Sequence, residues 1–298
     1  MIINSLKLTN FRNFAKTEFS PCESVNIIYG DNAQGKTNLL EAIWLFTGAK
    51  SFRGAKDLEY INFKQDFCTL DLDFFANKRQ QNAQIKITKN KKTAFLNDIE
   101  KTSVTKLAGE FLCVAFSPVD LSLIKDSPSL RRKFIDGAIG QLTPKYISYL
   151  GEYTKVLNQR NALLKDIKYN SSLYEMLDLW DTQLQTIGAN IIFLRNKYLN
   201  NLREKAIPIY SGIADLKEVL DIKYSCSFDG YIDNMELEQI KDIYHKRLKD
   251  TIKQDIVLGS TSIGVHRDDI DFFVDNKSLR SFGSQGKQRS CFLALKLD

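Results

Sequence analysis

The sequence predicts an α/β protein in which a sheet domain with a glycine-rich loop is interrupted by a long helical, coiled-coil-like lobe. Three observations point that way. The apolar run V-N-I-I-Y (25–29) leads through G-D-N-A-Q-G-K-T-N (30–38) into an apolar helical pattern, the order strand, loop, helix. Residues 67–74, F-C-T-L-D-L-D-F, alternate strictly and put Cys68, Leu70, Leu72 and Phe74 on one face. From Tyr146 to Leu202, apolar residues recur near the 3.5-residue spacing of a coiled-coil seam.

Taken in order, residues 2–8 (I-I-N-S-L-K-L) read as a short strand, and 25–29 as a second strand too apolar to be half exposed. A helix follows over Asn38–Phe46, with apolar positions Leu39, Leu40, Ile43 and Leu45 or Phe46. After the strand at 67–74, I-K-I (85–87) and T-A-F-L (93–96) flank T-K-N-K-K, a basic hairpin, so an antiparallel layer follows the first helix. Strand texture ends near Phe116. Ser127-Pro128 opens a helix, because serine caps and proline tolerates the first turn.

Apolar residues at 149/150, 153, 156/157 and 163/164 form one helical series, and Leu173, Leu177, Trp180, Leu184, Ile187, Ile191, Leu194, Tyr198 and Leu202 form a second. The segment D-I-K-Y-N-S-S between them is the expected tip. Periodicity alone leaves two arrangements open, two core helices of a bundle or an antiparallel hairpin projecting as an arm. Strand texture returns at V-L-D-I-K-Y-S-C-S-F (219–228) and I-D-F-F-V (270–274), on either side of a helix near 235–253. The expected division is a first lobe at 1–116, a helical lobe at 117–255 and a return to the first lobe at 256–298.

At 298 residues with 43% hydrophobic content, the chain can bury a sizeable core. Lys and Arg exceed Asp and Glu by 42 − 36 = 6, a mild excess compatible with a polyanionic partner but not diagnostic of one. No basic start precedes an apolar leader, and no run reaches the length a bilayer demands, so a cytoplasmic protein is expected. The five cysteines (Cys22, Cys68, Cys113, Cys226, Cys291) never stand in C-x-x-C spacing and read as buried thiols. With two histidines only, a histidine-rich metal site is excluded.

Gly30-x4-Gly35-Lys36-Thr37 satisfies the phosphate-loop pattern. Gly30 and Gly35 permit backbone angles that a side chain would obstruct, so the N–H groups of Asp31, Asn32, Ala33 and Gln34 can turn inward around a phosphate. Lys36 can reach the β- and γ-phosphates, Thr37 can offer its hydroxyl to Mg²⁺, and the helix through Asn38 adds its positive N-terminal end. Near the other end, S-F-G-S-Q-G-K-Q-R (281–289) precedes the apolar C-F-L-A-L-K-L. A serine turn at a helix N-terminus is weak evidence by itself. In ATPases of the ABC class, however, a Ser-x-Gly signature closes over the γ-phosphate held by the opposite subunit, and a two-fold dimer explains why the two motifs lie far apart in sequence.

The segments L-K-L-T-N-F-R-N-F, G-D-N-A-Q-G-K-T-N-L-L-E-A-I, F-S-P-V-D-L-S-L-I-K-D-S-P-S-L-R-R-K-F-I-D, E-Y-T-K-V-L-N-Q-R-N-A-L-L-K, G-V-H-R-D-D and S-Q-G-K-Q-R, in this order from end to end, closely resemble the RecF family of bacterial recombination mediators. The resemblance implies an ABC-type P-loop ATPase domain, like the heads of structural-maintenance-of-chromosomes (SMC) proteins, with an inserted arm lobe. It implies a Mg·ATP-dependent homodimer that binds gapped or single-strand/double-strand junction DNA and helps load RecA in replication, gap repair and the SOS response, with RecO- and RecR-type partners and no membrane. Gly30 to Asn38 would bind ATP, and Ser284, Gln285 and Gly286 would act in trans. Arg12 is placed to approach the nucleotide or to stack and pair locally.

Contact with the DNA backbone needs cations without base readout. The leading candidates are Lys89, Lys91 and Lys92 on the hairpin, followed by Lys78, Arg79, Arg131 and Arg132. Arg131-Arg132-Lys133 sits in the first turns of a helix, where cations oppose the dipole, so a partner or a local carboxylate is expected there. His266, Arg267 and Asp268 read as a hydrogen-bonded turn rather than as site residues.

The sequence departs from the family at its end. There the signature helix leads into an apolar strand with paired acids, whereas this sequence stops at L-A-L-K-L-D, and Asp298 has no such strand before it. A longer parent protein is therefore expected, with weak ATPase activity in the parent and little turnover from these 298 residues, in which no catalytic residue is identified. An apolar sheet edge is also expected to lie exposed. The competing reading is a nucleotide-binding scaffold acting through protein partners. A transporter motor and a nuclease are disfavoured, the first because the arm lies between loop and signature, the second because no cluster of metal-ligating acids stands out.

Overall fold

The structure, a computed structural model, describes residues 1–117, 123–214 and 218–297. The chain forms two compact units, one of residues 1–115 with 140–144, the other of 116–139 with 145–298.

The first unit is built on β1 (Ile2–Phe11), β2 (Phe14–Phe19), α1 (Lys36–Leu45), β3 (Phe67–Ala76), β4 (Arg79–Thr88), β5 (Lys92–Leu96) and β6 (Ile99–Lys101). The strands make one sheet in the order β2-β1-β3-β4-β5-β6, antiparallel throughout. Its register follows from side-chain alternation. Leu6 and Leu8 of β1 stand opposite Leu72 and Leu70 of β3, and Ile85 and Ile87 of β4 opposite Leu70 and Cys68. All these residues are fully buried, together with Ala42 and Leu45 of α1. Asn77-Lys78 and Asn97-Asp98, with positive φ at both residues, close the β3–β4 and β5–β6 hairpins; this mirror-image turn matches the strand twist. The basic hairpin expected around Lys89 is the β4–β5 connection, with Ile87 opposite Lys92.

The expected strand at 25–29 does not form. Val25, Ile27, Ile28 and Tyr29 are exposed and pair with no strand among the described residues. So apolar a strand needs neighbours on both sides for its backbone groups and its side chains, and no described strand supplies them. Leu112, Val114 and Phe116, also outside any strand, are exposed too.

The second unit holds most of α2 (Pro128–Leu142) and α3 (Pro144–Ile167), then α4 (Leu177–Ile213), β7 (Leu220–Cys226), β8 (Gly230–Tyr231), α5 (Leu237–Leu258), β9 (Asp269–Val274), β10 (Lys277–Ser278), α6 (Leu279–Phe282) and α7 (Gln285–Lys296). Its antiparallel sheet runs β10-β9-β7-β8. α3 and α4 are the two seam helices, joined by the expected tip. They are neither a bare hairpin nor a plain bundle pair, because α5 joins them: Leu163, Leu164 and Ile167 of α3, Leu177 of α4 and Ile252 of α5 form a small separate core. Residues 256–297 fold with this second unit. β9 finds its partner in β7 over six register pairs, from Leu220↔Val274 to Ser225↔Asp269, which keeps this segment beside the helical lobe.

Buried charges knit the second unit. Arg195 donates to both Asp136 oxygens, at 3.0 Å each, and to the Val265 carbonyl. Arg160, fully buried, pairs with Asp181 at 2.6 Å and with Asp255 at 2.7 Å. Burial raises the carboxyl pKa of Asp181, opposed by the charge of Arg160. These pairs fix which helices meet, because leaving any one partner alone in the interior is costly.

Candidate nucleotide site

The shape of the loop at 30–37 follows from residue choice. Gly30 (φ 142°), Ala33 (φ 66°) and Gly35 (φ 100°) all take positive φ. At Gly35 glycine is required. A Cβ there would lie 2.6 Å from Asn13 Oδ1 and 2.8 Å from Phe14 Cζ, in the turn between β1 and β2. That turn braces the loop: Asn13 Nδ2 donates to the Gln34 carbonyl at 3.0 Å, and Asn38 Nδ2 donates to Asn13 Oδ1 at 2.8 Å.

Gly35 is the N-cap of α1, and no side chain caps the helix. The N–H groups of Lys36, Thr37 and Asn38 therefore keep their donor capacity at the positive end of the helix dipole. Lys36 folds over the loop, its Nζ donating to the carbonyls of Gly30 and Asp31 at 2.7 Å each. Thr37, the next residue, is exposed. Uncapped amides, a lysine and a hydroxyl within one loop and helix start are the donor set that a nucleoside triphosphate with Mg²⁺ requires, so the residues present fit that group.

Arg12 is more constrained than the sequence suggested. Its φ is 53°, its Nη2 pairs with Glu41 at 2.9 Å, its Nη1 donates to the Glu59 carbonyl at 3.0 Å, and its guanidinium lies 5.1 Å from the Tyr60 ring centre. It ties Glu41 of α1 to the Glu59–Tyr60 segment. Glu41, fully buried on α1, also accepts from Ser51 Oγ at 2.5 Å and lies 3.8 Å from Arg53. Burial raises the Tyr60 phenol to about 12. Sequence reasoning missed Glu41, Asn13 and Arg53, although a carboxylate among Leu39, Ala42 and Leu45 on the buried face of a helix is a signal for a buried ion pair.

In the second unit, Ser284 is the N-cap of α7 and its Oγ accepts from the Lys287 N–H at 3.4 Å. Ser284, Gln285 and Gly286 are exposed, and a Cβ on Gly286 would meet only Ser284 Oγ, at 3.9 Å. The expected signature turn is thus open to an incoming group. Asp298 lies outside the described residues, as do Pro118 to Ser122 of the quoted F-S-P-V-D motif.

The expected DNA contacts divide. Arg131 is not available: it is 1% exposed, forks onto Asp269 at 2.7 and 2.8 Å, and donates to the carbonyls of Leu123, Ile124 and Asp126. A local carboxylate thus offsets the cation near this helix start. Arg132 donates to the Asp268 carbonyl. The hairpin lysines are exposed or half-buried but each has a carboxylate: Lys89 with Asp66 at 2.7 Å, Lys91 with Glu100 at 3.1 Å and Lys92 with Asp57 at 2.8 Å. Lys78 and Arg79 are exposed at the β3–β4 turn.

The G-V-H-R-D-D turn is structural. His266 Nδ1 lies 2.9 Å from the Tyr153 hydroxyl and Nε2 lies 3.2 Å from the Thr261 carbonyl, so Nε2 carries the proton and Nδ1 accepts. Burial lowers its pKa to about 4. Asp268, fully buried, accepts from the Tyr224 hydroxyl and from the Ser227 N–H.

A family model described as AAA ATPase domain matches residues 1–266. The DNA replication and repair protein RecF of Bacillus cereus (strain B4264) is 42% identical over 298 residues, all of this chain and 79% of that protein. The chain belongs to the RecF family. RecF of Bacillus thuringiensis (strain Al Hakam) is 41% identical over the same span. A solved structure of the recombination mediator protein RecF-ATP in the RecFOR pathway superposes with a TM-score of 0.94 at 35% identity, covering 99% of this chain and 79% of that one. A second, of RecF-ATPrS, gives 0.94 at 34%. This RecF-family chain has an ATPase domain with the fold of the solved RecF structures, and its family is one of DNA replication and repair proteins. No described helix is long and apolar enough to cross a membrane.

Proposed function

We propose that the chain is an ATP-dependent DNA-binding recombination mediator. Gly30 to Thr37 hold the phosphates of ATP, with Asn13 and Asn38 bracing the loop, Arg12 securing α1 through Glu41, and the Thr37 hydroxyl available to Mg²⁺. The ion supplies charge neutralisation across the β- and γ-phosphates when bound. Ser284, Gln285 and Gly286 close over the γ-phosphate held by a second copy, so nucleotide joins two chains into a homodimer. The dimer binds gapped or junction DNA, works with RecO- and RecR-type partners and assists RecA loading in the cytoplasm.

The observation that carries this reading is the uncapped N-terminus of α1, framed by positive φ at Gly30, Ala33 and Gly35 and covered by Lys36. The exposed Ser284 turn and the relatives described with ATP support it. Glu41, the buried carboxylate on α1, is engaged by Arg12 and Ser51 and so is not free to act as a base in hydrolysis.

The test is sizing of the protein with and without ATP beside Lys36→Met. ATP should shift the wild type alone from monomer to dimer; association indifferent to both nucleotide and Lys36 would contradict the proposal. A scaffold acting mainly through protein partners is the second reading, favoured by the neutralised hairpin lysines and by exposed Tyr169, Tyr174, Met176 and Leu179 around the arm tip. DNA affinity separates the two.

A further inference from the structure

Among the basic segments of the first unit, residues 50–56 (K-S-F-R-G-A-K) stand out by chemistry and by anchoring. Three cations occur in seven residues with no acid among them. Lys50, Arg53 and Lys56 are exposed, and no ion pair of Lys50 or Lys56 occurs among the described residues. The hairpin lysines differ, each facing a carboxylate that offsets its charge.

The loop is also held in a defined shape. The Lys50 carbonyl accepts from Trp44 Nε1 at 2.9 Å, Ser51 donates to buried Glu41 at 2.5 Å, and Phe52 meets Trp44 edge to face at 6.1 Å between ring centres. These three anchors leave the cationic side chains outward. Gly54 (φ 78°) lets the chain turn, and a Cβ there would meet nothing within 4 Å, so the surface before it is open.

Arg53 joins the loop to the nucleotide site. Its Nη1 donates to Asn38 Oδ1 at 2.9 Å, Asn38 Nδ2 donates to Asn13 Oδ1 at 2.8 Å, and Asn13 Nδ2 donates to the Gln34 carbonyl at 3.0 Å. One unbroken run of hydrogen bonds therefore leads from the basic loop to the backbone that cradles phosphate.

We propose that Lys50, Arg53 and Lys56 form a contact for the phosphate backbone of DNA, and that Arg53 ties its orientation to nucleotide occupancy. This rests on the DNA-binding reading above and names the surface that does the binding. Recognition is of backbone charge, since Lys50 and Lys56 are flexible point charges suited to phosphate, and Arg53, the side chain best shaped for a bidentate base contact, is held by Asn38.

The test is anisotropy of a fluorescent gapped duplex, titrated with the protein from about 50 to 200 mM salt with and without ATP. Lys50→Gln/Lys56→Gln should weaken binding about tenfold at the lower salt and reduce the salt slope by about 1.8, the release expected for two lost phosphate contacts. A fluorescent ATP analogue should bind this variant as it binds wild type. Arg53→Gln should remove the effect of ATP on DNA affinity. Wild-type DNA affinity and slope in the double variant would overturn the assignment, as would a hairpin variant (Lys89→Gln/Lys91→Gln/Lys92→Gln) that carries the whole loss instead. Absence of any DNA binding by wild type at the lower salt would overturn the DNA-binding reading itself, and this surface with it.

Discussion

Replacing Glu41 with alanine tests the idea that a buried carboxylate behind the phosphate loop holds the site together. Glu41 has no exposed side-chain surface, and the Arg12 side chain is 18% exposed. Truncation removes the 2.9 Å pair with Arg12 and the 2.5 Å bond from Ser51, and leaves Arg53 without its carboxylate at 3.8 Å. Breaking a buried pair from one side costs about 3 to 5 kcal/mol. Arg12 keeps its bond to the Glu59 carbonyl and its place over Tyr60, and water can reach part of it, so about 3 kcal/mol is expected, the low end of that range. Glu41→Gln retains an acceptor for Ser51 and should lose about half as much. Urea unfolding can be followed by Trp44, which lies on α1, in a Trp180→Phe background that silences the other tryptophan. A single-probe signal from one unit is suited to a chain of two units, whose whole unfolding need not be two-state. The same variant should bind an ATP analogue about tenfold more weakly, a cost of about 1.4 kcal/mol, as the Arg12–Asn13 turn loosens from Gln34. Stability within about 0.5 kcal/mol of wild type would refute the reasoning.

Three further perturbations follow from the geometry. Gly35→Ala should abolish nucleotide binding in a filter or fluorescence assay while leaving circular dichroism intact, because its Cβ must displace Asn13 and Phe14 at a φ of 100°. His266, lowered to about 4 from an ordinary 6.5, is neutral in the folded chain and charges first in the unfolded one. Its contribution to stability is thus complete above pH 6.5 and is lost as pH falls toward 4, by about 3 kcal/mol in all; His266→Gln should flatten that part of a Tm-against-pH curve relative to wild type. Arg160→Met, which leaves Asp181 and Asp255 facing each other in the interior, should cost about 3 to 5 kcal/mol in denaturant unfolding read by Trp180.

Much of this fold was legible because period and punctuation agree. The strict alternation at 67–74 became β3 with Cys68, Leu70, Leu72 and Phe74 buried, and Ser127-Pro128 opens α2 with proline at its first position. The short strands were harder. β6 has three residues, and its signal was the Asn97-Asp98 turn rather than any apolar pattern. The run at 25–29 failed for the opposite reason: its apolar character is strong, but a strand is made by its neighbours, and none of the described strands pairs with it. At the candidate site, the spacing of Gly30, Gly35 and Lys36 pointed to the loop whose backbone takes positive φ at Gly30, Ala33 and Gly35. What spacing could not give was which cations are already paired. Arg131 and Lys89 look alike in sequence, yet one is buried on Asp269 and the other exposed beside Asp66. The bracing by Asn13, Glu41 and Arg53 joins residues up to 29 positions apart, such as Arg12 and Glu41, and a local pattern carries no trace of it.

The central claim is that the cradle of one copy and the Ser284 turn of another grip one nucleotide, and mixing two defective variants tests it most directly. With ATP, Lys36→Met and Ser284→Arg should each stay monomeric by analytical ultracentrifugation, while an equal mixture forms a one-to-one dimer, since only the mixed pair holds one intact composite site. A mixture that stays monomeric, or a Ser284→Arg protein that dimerises alone, would contradict it.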